Sequence, residues 1–239
     1  MSTQKKQGPF LGVLMLDTAF PRVKGDAGNA ESYSFPTRIR RIPEAHALDI
    51  VQVDGPSRAL LPDFINAALE LERQGAIGLV STCGFLVHFQ TEIAAAVRVP
   101  TMVSSLSLYP VLCTAFALRP IGILTASAES LRCGGLEAAH IDPEHVHIAG
   151  FESCPAFSNA ILTDKSSQPA VLDTHAISDF AVAQAQTIVE ADPMVACFLL
   201  ECGNLPPYAA AIRAATGRPV FSILDTAQMF WSASKTKLL

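Results

Sequence analysis

Two Cys-Gly pairs, Cys83-Gly84 and Cys202-Gly203, stand 119 residues apart, and the chain around one lies over the chain around the other without a gap. At that offset Leu86 falls on Leu205, Ile93 on Ile212, Ala95 on Ala214, Ala96 on Ala215 and Pro100 on Pro219. Each copy reads as an apolar strand, Cys-Gly, a helix, a proline and another strand. An offset of 110 residues similarly lays "FLGVL" (10–14) over "PIGIL" (120–124), so each half opens on a like strand. A repeat of this kind restricts a 239-residue chain to two related units packed together.

Between these landmarks, short apolar runs alternate with segments whose apolar residues recur every three or four positions. The expected strands are 10–17, 47–54, 76–82, 100–105, 120–127, 145–151, 196–201 and 219–225. The segments "SRALLPDFINAALELERQG" (57–75) and "THAISDFAVAQAQTIVEAD" (174–192) read as amphipathic helices. Alternation of strand and helix implies parallel sheets with right-handed crossovers. Half of the residues are hydrophobic and only 16% are charged, which suits strands buried on both faces. The expected fold is therefore α/β, with two pseudo-symmetric lobes, each a parallel sheet flanked by helices, and the active site in the cleft between them. Residues 1–115 form the first lobe and 116–218 the second, with 219–239 crossing back to join the first.

The net charge of −5, without a basic cluster, gives no footprint for nucleic acid and no polybasic patch for a membrane surface. The apolar stretch 99–124 is broken by Pro100, Pro110, Arg119 and Pro120 and does not read as a membrane span. The start, "MSTQKKQGPF", has no apolar core of a secretory signal, so a cytoplasmic protein is expected. Six cysteines lack CxxC or Cys/His metal spacing and are expected to be reduced. The phosphate-binding patterns G-x-x-x-x-G-K-[ST] and G-x-G-x-x-G are absent, as is the serine-hydrolase pattern G-x-S-x-G. Lys5, Lys6, Lys24, Lys165, Lys235 and Lys237 all fall in tails or polar loops, which disfavours a Schiff-base enzyme. The expected partner is a small molecule, and a homo-oligomer is compatible with this reading.

Ligands of open parallel sheets sit outside the carboxyl ends of the strands, where both Cys83 and Cys202 are expected. A thiol opening a helix meets the positive end of the helix dipole, which favours the thiolate. Two thiols on opposite faces of a small carbon acid suit inversion, one removing a proton while the other returns one. The backbone N–H groups of Gly84 and Gly203 are expected to bind the substrate carboxylate, and the scheme requires neither metal nor organic cofactor.

These residues resemble the aspartate/glutamate racemase superfamily, which includes amino-acid and hydantoin racemases, maleate isomerases and arylmalonate decarboxylases. The resemblance runs through "GVLMLDT", "RVKGDAGN", "STCGFLVHFQ", "VPTMVSSL", "IGILTAS" and "ECGNLPPY". It implies a two-domain α/β fold, no pyridoxal phosphate, and Cys83 and Cys202 as the acid/base pair. It also places Asp17, Thr18, Thr125 and Ser127 near the substrate. Two departures stand out: Gly84-Phe85 follows the first cysteine where many racemases have Asn-Thr, and Gly203-Asn204 follows the second where Thr is usual.

The leading expectation is a cofactor-independent racemase or epimerase of a small carboxylate such as an amino acid. One alternative is a dicarboxylate cis-trans isomerase or lyase with a nucleophilic cysteine. Another is a two-lobe binding protein that has lost catalysis. The polar stretch 17–38 reads as a lid or binding loop, or else as a surface excursion. His88 is a candidate partner for Cys83, and "HIDPEHVH" (140–147) is a weak metal candidate that reads better as a loop.

Overall fold

A computed structural model of the chain describes residues 8–234. Residues 1–7, on which the expectation about export rests, and Lys235 and Lys237 lie outside the described residues.

Among the described residues, eight strands form two four-stranded sheets. The first contains β1 (Phe10–Met15), β2 (Thr37–Arg41), β3 (Ala76–Ser81) and β4 (Thr101–Met102) in the order β2-β1-β3-β4. The second contains β5 (Ile121–Thr125), β6 (Val146–Gly150), β7 (Cys197–Leu200) and β8 (Val220–Phe221) in the order β6-β5-β7-β8. Every pairing is parallel, and the two orders are the same pattern repeated. Three of the four central strands, β1, β5 and β7, are buried along their whole length, as their continuous apolar sequences require.

One expected strand is misplaced. Residues 47–50 form a helical turn that buries Ala47 and Ile50, three positions apart. The second strand is instead "TRIRR" (37–41), which closes the polar stretch expected to be all loop. It lies at the sheet edge, half-covered, and Arg38 lays its guanidinium 4.0 Å over the Phe10 ring. Such a strand needs no apolar run, so periodicity does not reveal it. The strands expected at 100–105 and 219–225 shrink to two residues each.

Seven longer helices pack on the sheets: α1 (Leu61–Arg73), α2 (Gln90–Ala96), α3 (Tyr109–Ala115), α4 (Pro155–Ile161), α5 (Thr174–Ala191), α6 (Ala209–Thr216) and α7 (Ile223–Ala233). In α1, Phe64, Ala67, Ala68 and Leu71 form the buried stripe, and the helix lies on β1 and β3. In α5 the stripe is Ile177, Ala181, Ala185 and Ile188, and Asp173 caps its first turn by accepting from the Ala176 N–H.

The C-terminal segment divides. Strand β8 stays with the second sheet by pairing with β7, whereas α7 crosses to the first. Ile223, Ala227 and Phe230 of α7 cover Leu11, Val13 and Val80 on the face of the first sheet that α1 leaves open. Residues 105–116 make the reciprocal crossing. The Ser105 hydroxyl donates to the Leu200 carbonyl at 2.7 Å, and Phe116 meets Phe221 edge-on.

Both sheets reverse strand order beside their first strand, and the two switch points face each other. Contact there is close enough to exclude side chains. A Cβ on Gly84 would fall on the Glu201 carbonyl and carboxylate, and one on Gly203 would lie 2.5 Å from the Thr82 carbonyl oxygen. Thr82 and Glu201 are themselves related by the 119-residue offset, so each lobe's glycine packs on the residue before the other lobe's cysteine. Since the obstruction at Gly203 is backbone, Gly203→Ala is expected to cost about 1–3 kcal/mol. Urea unfolding checks this, and an unchanged midpoint would contradict the close contact.

Candidate active site

A cavity lies where the switch points meet, lined by the ends of all four central strands. Leu16 and Thr18 follow β1, Thr82 and Cys83 follow β3, Ala126 follows β5, and Glu201 and Cys202 follow β7. Phe20, Arg22, Ala47, Val51, Ile161 and Asn204 complete the wall. Its free space is about 20 Å³, no more than a single water requires, so a substrate is admitted only if the wall moves. The segment after β1 is tied to the second lobe by Gln168, whose Oε1 accepts from the Ala19 N–H at 2.6 Å. Lys165 reaches Asp17 beside it at 2.8 Å.

Cys83 and Cys202 both open onto this cavity and both are buried. Ser81 braces the first, accepting from the Cys83 N–H at 3.2 Å and donating to the Val103 carbonyl. The second thiol donates to Asn204 Oδ1 at 3.3 Å. From there a chain of polar contacts crosses back to the first lobe. Asn204 Nδ2 donates to Asp26 at 2.6 Å, Arg22 pairs with Asp26 at 3.0 Å, and Arg22 also donates to the Thr18 hydroxyl at 3.0 Å.

The helix-dipole expectation fails for both thiols. Cys83 caps a 3-10 turn (Gly84–Phe89), and the Phe85 and Leu86 N–H groups do favour its thiolate. Burial, reinforced by the Glu201 carboxylate, outweighs them and pushes the Cys83 thiol far above the ordinary range. Burial also raises Cys202, with Glu201 and Cys83 adding to the effect.

Glu201 is the main residue that sequence reasoning missed. It is 1% exposed, and its Oε2 accepts from the Thr125 hydroxyl at 2.9 Å and the Ala126 N–H at 3.1 Å. Its Oε1 has no hydrogen-bond partner among the described residues. Burial pushes its carboxyl up to about 7, against the opposing pull of the N–H groups and hydroxyl around it. The Thr82 hydroxyl and Arg22 Nε, also on the cavity wall, are likewise buried without partners. A charged residue ending the apolar run "ACFLLE" was a legible signal for Glu201. Nothing local distinguished Arg22 and Asp26 from the rest of a polar loop.

Other expected site residues take different places. Asp17 turns away from the cavity toward Lys165 and Arg41; burial pushes its carboxyl up, but these two cations hold it below the usual range. Thr125 is spent on Glu201, while Ser127 caps the short turn that follows by accepting from the Ser130 N–H. Phe85 is fully buried in the core and absent from the cavity wall. Gly84 and Gly203 serve the contact between lobes, and the Gly84 N–H helps stabilise the Glu201 carboxylate rather than standing free for a substrate. His88 faces Gly55 and Gly134, away from the cavity, so it makes no Cys-His pair. In the 140–147 stretch, His145 pairs with Asp142, while His147 reaches Asp192 at 2.8 Å. All six cysteines are free thiols, and no described helix is long and apolar enough to cross a membrane.

No family model matches the chain. It is 31% identical over 237 residues to dimethylsulfoniopropionate lyase 7 of Emiliania huxleyi (strain CCMP1516), covering 94% of this chain and 67% of that protein. Dimethylsulfoniopropionate lyase 6 of the same strain is 32% identical over 225 residues, with 89% of this chain and 56% of that one covered. The chain therefore spans between about half and two thirds of these relatives. Among solved structures, unliganded arylmalonate decarboxylase superposes with a TM-score of 0.56 at 16% identity over 97% of both chains. A glutamate racemase of Bacillus anthracis gives 0.56 at 13% identity, covering 96% of this chain and 84% of that one. An allantoin racemase of Klebsiella pneumoniae gives 0.55 at 14% identity, covering 93% and 86%. These likenesses establish the fold.

The raised thiols generate a direct expectation. With iodoacetamide at pH 8, exposed Cys133 should be alkylated first, and Cys83 and Cys202 at least about tenfold more slowly, because each buried thiol holds far less thiolate than a free one. Peptide mass spectrometry over time reads the order, and early labelling of Cys83 would contradict the burial argument.

Proposed function

The chain belongs to the family of the dimethylsulfoniopropionate lyases, and we propose that it is a lyase acting on dimethylsulfoniopropionate or a close analogue. The observation that carries this reading is the set of unpartnered groups around the two thiols. Arg22 Nε and the Thr82 hydroxyl are buried donors with nothing to bind, and a substrate carboxylate would satisfy both. Cys202 already donates to Asn204, which is fixed by Asp26, so it holds its proton. Cys83 is thereby left as the base.

In the proposed step, the Cys83 thiolate takes a proton from the carbon next to the carboxylate. The C–H electron pair becomes the new C=C bond, and the C–S bond breaks with its electrons staying on sulfur. Dimethyl sulfide leaves uncharged, acrylate remains, and one proton is released to solvent. Charge building on the carboxylate in the transition state faces Arg22 and Thr82 in a site nearly free of water. A bound sulfonium cation also favours thiolate over thiol, offsetting the effect of burial on Cys83.

Racemisation, the leading expectation from two facing thiols, is the second reading, and the shared cavity is what favours it. The relatives above 30% identity are lyases, whereas the racemases share the fold at 13% and 14% identity. For that reason the lyase reading takes precedence.

Headspace chromatography of dimethyl sulfide, with acrylate followed by NMR, tests the proposal. Cys83→Ser is expected to lower kcat by at least about 100-fold, the usual contribution of a positioned base. Full activity in that variant would overturn the assignment of Cys83. Exchange of a substrate proton for solvent deuterium without release of dimethyl sulfide would replace the lyase with a racemase. Arg22→Lys is expected to raise KM about tenfold or more by losing the Nε–H donor, with a smaller effect on kcat.

A further inference from the structure

Glu201 has a binding capacity that the proton transfer described above leaves unused. It is a buried carboxylate on the wall of the cavity, with one oxygen held by Thr125 and Ala126 and the other lying beside the Gly84 backbone without a full hydrogen bond and without a cation. None of the cations near the site is committed to it. Arg22 is paired with Asp26 and stacked 4.6 Å over the Phe20 ring, and Lys165 and Arg41 are paired with Asp17. The cavity wall that Glu201 shares also carries Leu16, Phe20, Ala47, Val51 and Ile161, which offer apolar contact and no hydrogen-bonding side chain.

That combination discriminates among substrate cations. A primary ammonium brings three N–H donors, whereas the unpartnered side-chain oxygens on the wall are Glu201 Oε1 and Thr82 Oγ1. An onium centre with no N–H needs only a nearby anion and apolar surroundings for its methyl groups. A second carboxylate in the same place would meet Glu201 as a like charge.

Taking the carboxylate to lie on Arg22 as in the proposed function, we infer that Glu201 seats the cationic group of the substrate, so that the cavity selects zwitterions carrying a sulfonium or quaternary ammonium over dicarboxylates, amino acids and acids with a neutral tail.

Calorimetric binding of two probes of matched shape tests this without any turnover: 3-(trimethylammonio)propanoate and its uncharged carbon counterpart, 4,4-dimethylpentanoate. At pH 8 the cationic probe should bind the wild-type protein at least tenfold more tightly than the neutral one. Glu201→Gln should bring that ratio close to one by weakening the cationic probe alone, with unchanged affinity for the neutral probe showing that the cavity is intact. Should the variant fail to fold, wild-type protein supplies the answer through pH. A carboxyl raised to about 7 is charged above that pH and neutral below it, so the preference should be present at pH 8 and largely gone at pH 5.5. The other titratable groups facing Glu201 are the Cys83 and Cys202 thiols and the Arg22–Asp26 pair. Both thiols stay protonated over that range in the unliganded protein.

Equal affinity for the two probes in the wild type, or a preference that survives Glu201→Gln or the drop in pH, would overturn the inference. A Glu201-dependent preference without release of dimethyl sulfide would keep this inference and remove the lyase reading. Release of dimethyl sulfide without a preference would do the reverse.

Discussion

The structure depends on two backbone contacts that only glycine permits. Gly84 lies against Glu201 and Gly203 against Thr82, so each lobe presses its cysteine-bearing turn onto the strand end of the other. Any side chain at either glycine would separate the two turns. The cavity between them would then widen and admit water, and the thiols would lose the dry setting that governs their chemistry. The crossing segments reinforce the same contact from outside: α7 covers the first sheet, and residues 105–116 reach the second. Exchange of helices makes each lobe's core depend on the other.

Dryness has a chemical consequence that runs against the usual account of strand-end cysteines. Removing water disfavours every anion in the cavity, and it acts on Cys83, Cys202 and Glu201 together. The amides of a short 3-10 turn are too few to reverse it. In the proposed lyase such a cavity is quiet when empty, and the substrate cation supplies the charge balance that water no longer does. The nearly filled interior and the contacts of Gln168 and Lys165 to residues 17–20 belong to the same design, since a cavity that stood open would refill with water.

Individual residues show why parts of the site were legible and others were not. Cys83 and Cys202 announced themselves through a shared neighbourhood repeated at a fixed offset, which is a property of the linear chain. Thr18 and Asn204 line the cavity, whereas Asp17, one residue away from Thr18, points toward Lys165. Both residues lie past the end of β1, and the position of the second lobe decides which of the two side chains meets the cleft. The strand at 37–41 escaped notice because an edge position tolerates arginines, whose stems lie along the sheet while their charges reach solvent.

By itself, the sequence determined the fold class and the repeated pattern of strands, Cys-Gly pairs and helices, because periodicity and self-similarity are encoded along the chain and survive without knowledge of contacts. Tertiary structure alone decided that burial raises both thiols, that Arg22, Thr82 and Glu201 of the cavity wall each keep a buried polar atom unpaired among the described residues, and that α7 rather than β8 crosses between lobes. These outcomes turn on burial and on pairs of residues far apart in sequence, such as Asn204 with Asp26. Electrostatics in a closed cavity depends on what surrounds a group in space, and no local pattern of residues carries that information.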